Sequence, residues 1–235
     1  MNVLAIDTST NVLGVAVANE KGIIGEQITY TKKNHSVRAM PTIELLLKEC
    51  GLKPKDLDKI VVAKGPGSYT GVRIGVTIAK SLAWSLGIGL SGISSLEALA
   101  ANGRYFNGLI CPLFDARRGQ IYTSLFKYEG EKLIRLEEDQ NVLASDWAKT
   151  LVEKDESILF LGNEVGIYEA TLKEILGECA VLAPFPIQHA RPGELAILGM
   201  NLPTEEIHTF VPNYVRLAEA EAKWLEAQEK KKEVK

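Results

Sequence analysis

The stretch GPGSYTGVRIG, residues 65–75, lies between a short apolar run, KIVVAKG, and a long helical pattern, TGVRIGVTIAKSLAWSLG. A buried-type strand, a glycine-rich turn and a helix in that order make an α/β unit. A turn of this kind often cradles phosphate, because it feeds free backbone N–H groups into the positive end of a helix. A P-loop needs Lys and then Ser or Thr directly after its last glycine. Here Gly71 is followed by Val72 and Arg73, so the loop is not a P-loop. Ser68 or Thr70 is predicted to cap the helix.

The surrounding sequence sets the fold class. Upstream, VLAIDTS, VLGVAVAN and GIIGEQITYT read as three strands joined by short turns, an antiparallel meander. SVRAMPTIELLLKECG reads as a helix with Val37, Met40, Ile43 and Leu47 on one side and Gly51 as its stop. Pro41 sits in its first turn or kinks it. Downstream come GLSGIS, a strand, and SLEALAA, a helix. The first hundred residues therefore read β-β-β-α-β-α-β-α. The remainder is less regular: LICPLFDA, GQIYTSLFKY and EKLIRLEED as strands, ASDWAKTLVEK as a helix, SILFLG as a strand, then VGIYEATLKEILG and RPGELAILGMN as helices. No repeat of fixed short period stands out. The expected division is a first lobe over residues 1–104, a smaller α/β lobe over 105–210, and a C-terminal helix over 211–235 that packs back on the first lobe.

Bulk properties narrow the function classes. The chain has 235 residues, ample for a core, and a net charge of −3, which argues against a surface that grips nucleic acid unaided. The three cysteines are far apart, and no pair has metal-ligand or redox spacing. MNVLAIDTST is a strand rather than a signal sequence, and no apolar run is long enough to span a membrane, so a cytoplasmic protein is expected.

The strand and helix order is that of actin, the sugar kinases and the heat-shock chaperone ATPases. Those proteins bind nucleotide through an Asp-x-Gly-Thr hairpin in the first lobe and a second Asp-x-Gly in the other. DTST stands at the first place, giving Asp7, Thr8 and Ser9, with Ser9 where glycine belongs. FDARRG stands at the second, giving Asp115, with Arg117 in the glycine position. A side chain there crowds a phosphate approaching the backbone. LGNEVG is an imperfect match to the adenosine turn. The expectation is a two-lobed actin/sugar-kinase/heat-shock-chaperone-like ATPase fold with a degenerate nucleotide site and a reduced second lobe.

LAIDTST, HSVRAMPTI, GPGSYTGVRIG, SSLEALA, FDARRGQIY and PNYVRLAEAEAKW together resemble the TsaB (YeaZ) family across essentially the whole chain. That resemblance implies the partner subunit of bacterial threonylcarbamoyladenosine synthesis on tRNA. It implies a heterodimer with TsaD, TsaE docking on the assembly, a homodimer when TsaD is absent, and tRNA contact only through the complex. It implies no catalytic residues, no metal and no cofactor of its own beyond weak ATP or ADP binding within the complex. TsaD carries HMEGH, whose histidines hold a metal. The matching segment here is SLEAL, where Ser95 and Leu99 replace the histidines and only Glu97 is kept. Neither replacement is an imidazole ligand.

On a helical wheel of roughly 100° per residue, Gly71, Gly75, Ala79 and Ala83 form a ridge of small side chains flanked by Val72 and Val76. A partner helix could pack closely along such a ridge, as could the chain's own core. The resemblance assigns the partner interface to this helix and the preceding one: His35, Val37, Met40, Ile43 and Leu47 with Gly71, Val72, Gly75, Val76, Ala79 and Ala83. On that reading Gly75→Leu or Ala79→Glu damages pairing while the fold survives. Two other readings stand beside it. An ATP-dependent kinase-like enzyme needs intact phosphate hairpins, and a metalloprotease needs a histidine pair; the sequence supplies neither.

Overall fold

The computed structural model describes residues 1–31 and 34–215. The chain opens with the meander β1 (Val3–Asp7), β2 (Leu13–Asn19) and β3 (Gly22–Thr29). It continues through α1 (His35–Glu49), β4 (Lys59–Ala63), α2 (Tyr69–Leu86), β5 (Gly89–Ile93) and α3 (Ser95–Ala100). The second half runs β6 (Leu109–Asp115), β7 (Gln120–Glu129), β8 (Lys132–Leu143), α4 (Ala144–Leu151), β9 (Ile158–Leu161), α5 (Glu169–Leu176), β10 (Ala180–Leu182) and α6 (Pro192–Met200).

The two halves repeat one topology. The first sheet has strand order β3-β2-β1-β4-β5 and the second β8-β7-β6-β9-β10. In each, the first three strands pair antiparallel and the last two join in parallel. The period is about half the chain, so a search for a short repeat misses it. This is the two-lobed α/β architecture of actin, the sugar kinases and the chaperone ATPases.

Strand composition follows burial. β1 and β4 are covered on both faces and read as continuous apolar runs, VLAID and KIVVA. One face of the first sheet packs under α1 and α2 through Leu4, Ile6, Val15, Ile60 and Val62. The other face, with Val3, Ala5, Ala16 and Val61, packs under α6. The second sheet buries Leu109, Cys111, Leu113 and Phe160 against α4 and α5.

The last helix of each half packs on the other half's sheet. α3 lies against β6 and β7, and its Leu96 and Leu99 are fully buried with Ile110 and Phe126. α6 lies against β1, β2, β3 and β4. The sequence reading placed residues 192–200 in the second lobe. The exchange moves them to the first, because Leu195 and Ala196 complete the core over β1 and β2. Lys59 fixes the end of α6: its buried ammonium donates to the carbonyls of Met200 (3.2 Å) and Leu202 (2.5 Å). Those are the carbonyls a cation suits at a helix C-terminus.

Beyond α6, residues 203–215 form a strap along the outer edge of β5. Glu205 N donates to Leu90 O (2.8 Å), Ser91 Oγ donates to Pro203 O (2.8 Å), and Gly92 N donates to the Glu205 carboxylate (2.9 Å). An otherwise open edge strand is thereby covered. Residues 211–215 carry no helix, and the rest of the expected C-terminal helix, 216–235, lies outside the described residues.

Candidate functional site

Between the two sheets lies a cleft of about 540 Å³, lined by Ser9, Thr10, Asn11 and Gly67–Thr70 from the first lobe and by Phe114–Arg117, Tyr122 and Glu164 from the second. The two hairpins at its floor are equivalent. Asp7 ends β1 and accepts from Ser9 N (2.8 Å); Asp115 ends β6 and accepts from Arg117 N (2.9 Å). Each is the two-residue side-chain turn that Asp forms readily. Sequence placed these aspartates at the two phosphate hairpins, and the fold brings both to the cleft region.

The glycines of residues 65–75 let that loop sit directly on the first hairpin. A Cβ on Gly67 would run into the Ser9 carbonyl oxygen, one on Gly71 into the Thr8 carbonyl oxygen, and one on Gly75 into Thr8 Oγ1. The loop lies directly on the turn, and the two are bonded: Ser68 N donates to Ser9 O (2.7 Å) and Thr8 Oγ1 donates to Gly71 O (2.7 Å). Thr8 and Ser9 are both buried. Ser68 caps α2 by accepting from Gly71 N (3.3 Å). The glycines serve close approach of the chain to itself.

Asp7 is 6% exposed, and burial raises its carboxyl above the usual range, against the lowering effects of the Ser9 N–H bond and of nearby His35. His35 donates Nε2–H to Thr10 O (2.8 Å), and its Nδ1 is buried with no hydrogen-bond partner among the described residues. His35 therefore braces the first hairpin from the first turn of α1. In the second hairpin, Tyr168 donates its hydroxyl to Asp115 (2.6 Å) and to Gln120 O (3.0 Å). Burial, and then the Asp115 carboxylate, push the Tyr168 hydroxyl strongly upward, so it stays a donor. Sequence reasoning missed Tyr168, which follows the imperfect LGNEVG turn and carries no motif of its own. Arg117 and Arg118 adopt positive φ, 66° and 56°, the left-handed conformation that favours glycine.

The segment aligned with a histidine pair is structural. Ser95 Oγ accepts from Gly65 N (3.1 Å), Ser95 N donates to Gly65 O (3.0 Å), and Leu99 is fully buried between the lobes. Glu97 pairs with Arg135 of β8 (2.8 Å). Among the described residues no three His, Cys, Asp or Glu side chains cluster with metal-ligand geometry.

The α1–α2 face divides the expected interface residues in two. Gly71, Val72, Gly75, Val76, Ala79 and Ala83 are all buried against the chain's own sheet, as are His35, Ile43 and Leu47. The small-residue ridge thus packs on β1 and β4, and at Gly71 and Gly75 a side chain is excluded because Thr8 lies immediately opposite. Val37 (67% exposed) and Met40 (43%) face outward. Beside Met40 an apolar groove of about 790 Å³ runs between the helices, floored by Ile43, Leu47, Leu57, Leu82 and Leu86. Trp84, on the polar side of α2, is 68% exposed.

Comparison with known proteins agrees with this geometry. The family model described as TsaD, tRNA N6-adenosine threonylcarbamoyltransferase, matches residues 12–224. The tRNA threonylcarbamoyladenosine biosynthesis protein TsaB of Bacillus subtilis (strain 168) is 55% identical over 228 residues, 97% of this chain and 100% of its own. The structure of YeaZ from Pseudomonas aeruginosa superposes with a TM-score of 0.75 at 22% identity, over 91% of this chain and 99% of that one. The ethanolamine utilization protein EutJ from Carboxydothermus hydrogenoformans shares the fold at a TM-score of 0.50 and 11% identity, over 85% and 90% of the two chains. No described helix is long and apolar enough to cross a membrane. A match of 55% identity over nearly the full length of both chains, with a family model matched over most of the sequence, leads to one assignment: the chain belongs to the TsaB family of tRNA threonylcarbamoyladenosine biosynthesis proteins.

Proposed function

We propose that the chain is a non-catalytic partner subunit that pairs with TsaD and makes it competent to transfer the threonylcarbamoyl group to the adenosine beside the anticodon of tRNAs reading ANN codons. TsaE joins through that assembly, tRNA is met through the complex, and the same face forms a homodimer when TsaD is absent. The observation that carries this reading is the apolar groove between α1 and α2, rimmed by Met40 and with Val37 exposed on α1. An apolar groove rimmed by exposed apolar side chains is the kind of surface a protein partner covers. The mechanism is population shift: pairing energy favours TsaD's active arrangement. The kinase-like reading is disfavoured by the loop seated on Thr8 and Ser9, and the metalloprotease reading by Ser95 and Leu99.

Size-exclusion chromatography with light scattering, on this chain alone and mixed with TsaD from the same source, tests the proposal. A heterodimer that Met40→Glu abolishes, with the variant's thermal unfolding unchanged, is the expected outcome. A chain indifferent to TsaD, or a Met40→Glu variant that pairs normally, overturns it.

A further inference from the structure

We propose that the strap over residues 203–215 is an interlobe clip, keyed by Asn213, that sets how the two lobes sit across the cleft. Most of the strap holds only the first lobe. Phe210 is buried in the first sheet's core, and Lys80 of α2 donates to the carbonyls of His208 (3.1 Å) and Phe210 (2.8 Å). Lys64, at the end of β4, pairs with Glu205 (3.2 Å) and lies over the Phe210 ring.

Asn213 departs from that pattern. Its backbone N–H donates to Lys64 O (2.7 Å), and its carbonyl oxygen lies 2.9 Å from where a Cβ on Gly65 would stand. Gly65, at φ +98°, holds a conformation that side-chain-bearing residues rarely adopt. The Asn213 side chain reaches across the seam and donates Nδ2–H to Asp139 of β8 (3.1 Å). Among the described residues it is the one strap side chain hydrogen-bonded to the second sheet.

Asp139 is a prepared receiver. Its side chain is 7% exposed, and its other oxygen is held by Arg135 (2.6 Å). Arg135 also pairs with Glu97 of α3 (2.8 Å) and stacks over Phe126 of β7. One residue of the strap and one helix of the first lobe therefore converge on two neighbouring side chains of β8. Shared, well-satisfied polar networks of this kind fix a particular arrangement.

The clip also touches the cleft wall. Tyr214, the next residue, stacks on Tyr69 with ring centres 5.4 Å apart, and Tyr69 lines the cleft beside Gly67 and Ser68. Movement of Asn213 therefore shifts both the lobe seam and the loop seated on the first hairpin. The inference does not depend on what the α1–α2 face binds.

Hydrogen exchange of the full chain, read by mass spectrometry, tests the clip, with Trp147→Phe as a control that disturbs only the second lobe's core. Asn213→Ala is expected to speed exchange at least threefold in residues 64–70 and in 135–139, while Trp147→Phe leaves 64–70 unchanged. If Asn213→Ala fails to fold, Asn213→Ser, whose shorter side chain carries no amide to reach Asp139, replaces it with the same readout. Unchanged exchange at 64–70 in the Asn213 variant, or an equal rise in the Trp147→Phe control, overturns the proposal.

Discussion

Thr8 and Gly71 touch twice: Thr8 Oγ1 donates to the Gly71 carbonyl at 2.7 Å, and the Thr8 carbonyl oxygen occupies the space a Gly71 side chain would need. One threonine thus fixes the start of α2 against the end of β1. This contact converts a phosphate-type loop into an internal brace.

The first prediction follows from that brace. Gly75→Leu would drive a side chain into Thr8 Oγ1, with a Val62 methyl group close behind. Overpacking a filled core typically costs about 1–3 kcal/mol, and more where backbone must move. Ala79→Glu buries a carboxylate at a fully buried position with no partner. Both variants are expected to lower the urea midpoint sharply or fail to fold, which corrects the expectation that the fold survives them. A Gly75→Leu variant with wild-type stability would contradict the packing described for α2.

How much of this could be read from sequence depends on the range of each interaction. The alternation of strands and helices was legible because periodicity is local. So was the place of the two aspartates at the ends of β1 and β6, which rests on residue type at a fixed place. Which side of α2 faces inward was not legible. Gly71, Gly75, Ala79 and Ala83 make the same stripe whether they meet Thr8 or another chain, and only the β1–β4 pairing decides. The helix exchange was hidden for a similar reason: nothing local in RPGELAILGMN says which sheet Leu195 will cover. Asn213 was part of a recognised stretch, PNYVR, but its partner Asp139 lies 74 positions away.

Asp7 gives a prediction with a pH signature. Its folded-state carboxyl is raised above the ordinary 3.8, chiefly by burial. Between the unfolded and folded values the folded state binds more protons, so stability falls as pH rises through that window and stays reduced above it. Asp7→Asn keeps an oxygen for Ser9 N and removes the buried charge. The variant is expected to be more stable than wild type at neutral pH, with the gain disappearing below about pH 4, the ordinary range for Asp. Thermal unfolding at pH 7 and pH 3.5 checks it, each kcal/mol moving Tm by roughly 2–4 °C for a chain of this size. A loss of stability at pH 7 would show that the charged form is held by contacts stronger than the burial that opposes it.

Cys111 should be chemically silent. Burial pushes its thiol up to about 11, outweighing the bonds with Thr123 and with Trp147 Nε1 (3.2 Å). The thiolate is the reactive form, so little of it exists at pH 8. A thiol reagent on the native chain is expected to spare Cys111 and modify it only after unfolding, while the partly exposed Cys50 and Cys179 are the accessible sites. Mass mapping of labelled peptides reads the difference, and rapid native labelling of Cys111 would contradict its burial between β6, β7 and α4.

Arg117 links strain to the altered second hairpin. Arg117 and Arg118 hold φ of 66° and 56°, and Gly119 follows at 75°. Each non-glycine residue in that region costs on the order of 1–2 kcal/mol. Arg117→Gly removes one such cost and restores the Asp-x-Gly pattern after Asp115. Glycine's greater freedom in the unfolded chain offsets part of the gain, so a net stabilisation of about 0.5–1 kcal/mol is expected in urea unfolding. The same variant is expected to gain no protection from Mg-ATP in thermal unfolding. Restoring one hairpin leaves Gly67 and Ser68 seated on Ser9 at the other, where Ser68 N is already spent on the Ser9 carbonyl. A Tm that rises with Mg-ATP in Arg117→Gly but not in wild type would show that Arg117 alone had closed the cleft to nucleotide, and that the loop on the first hairpin yields when a phosphate arrives.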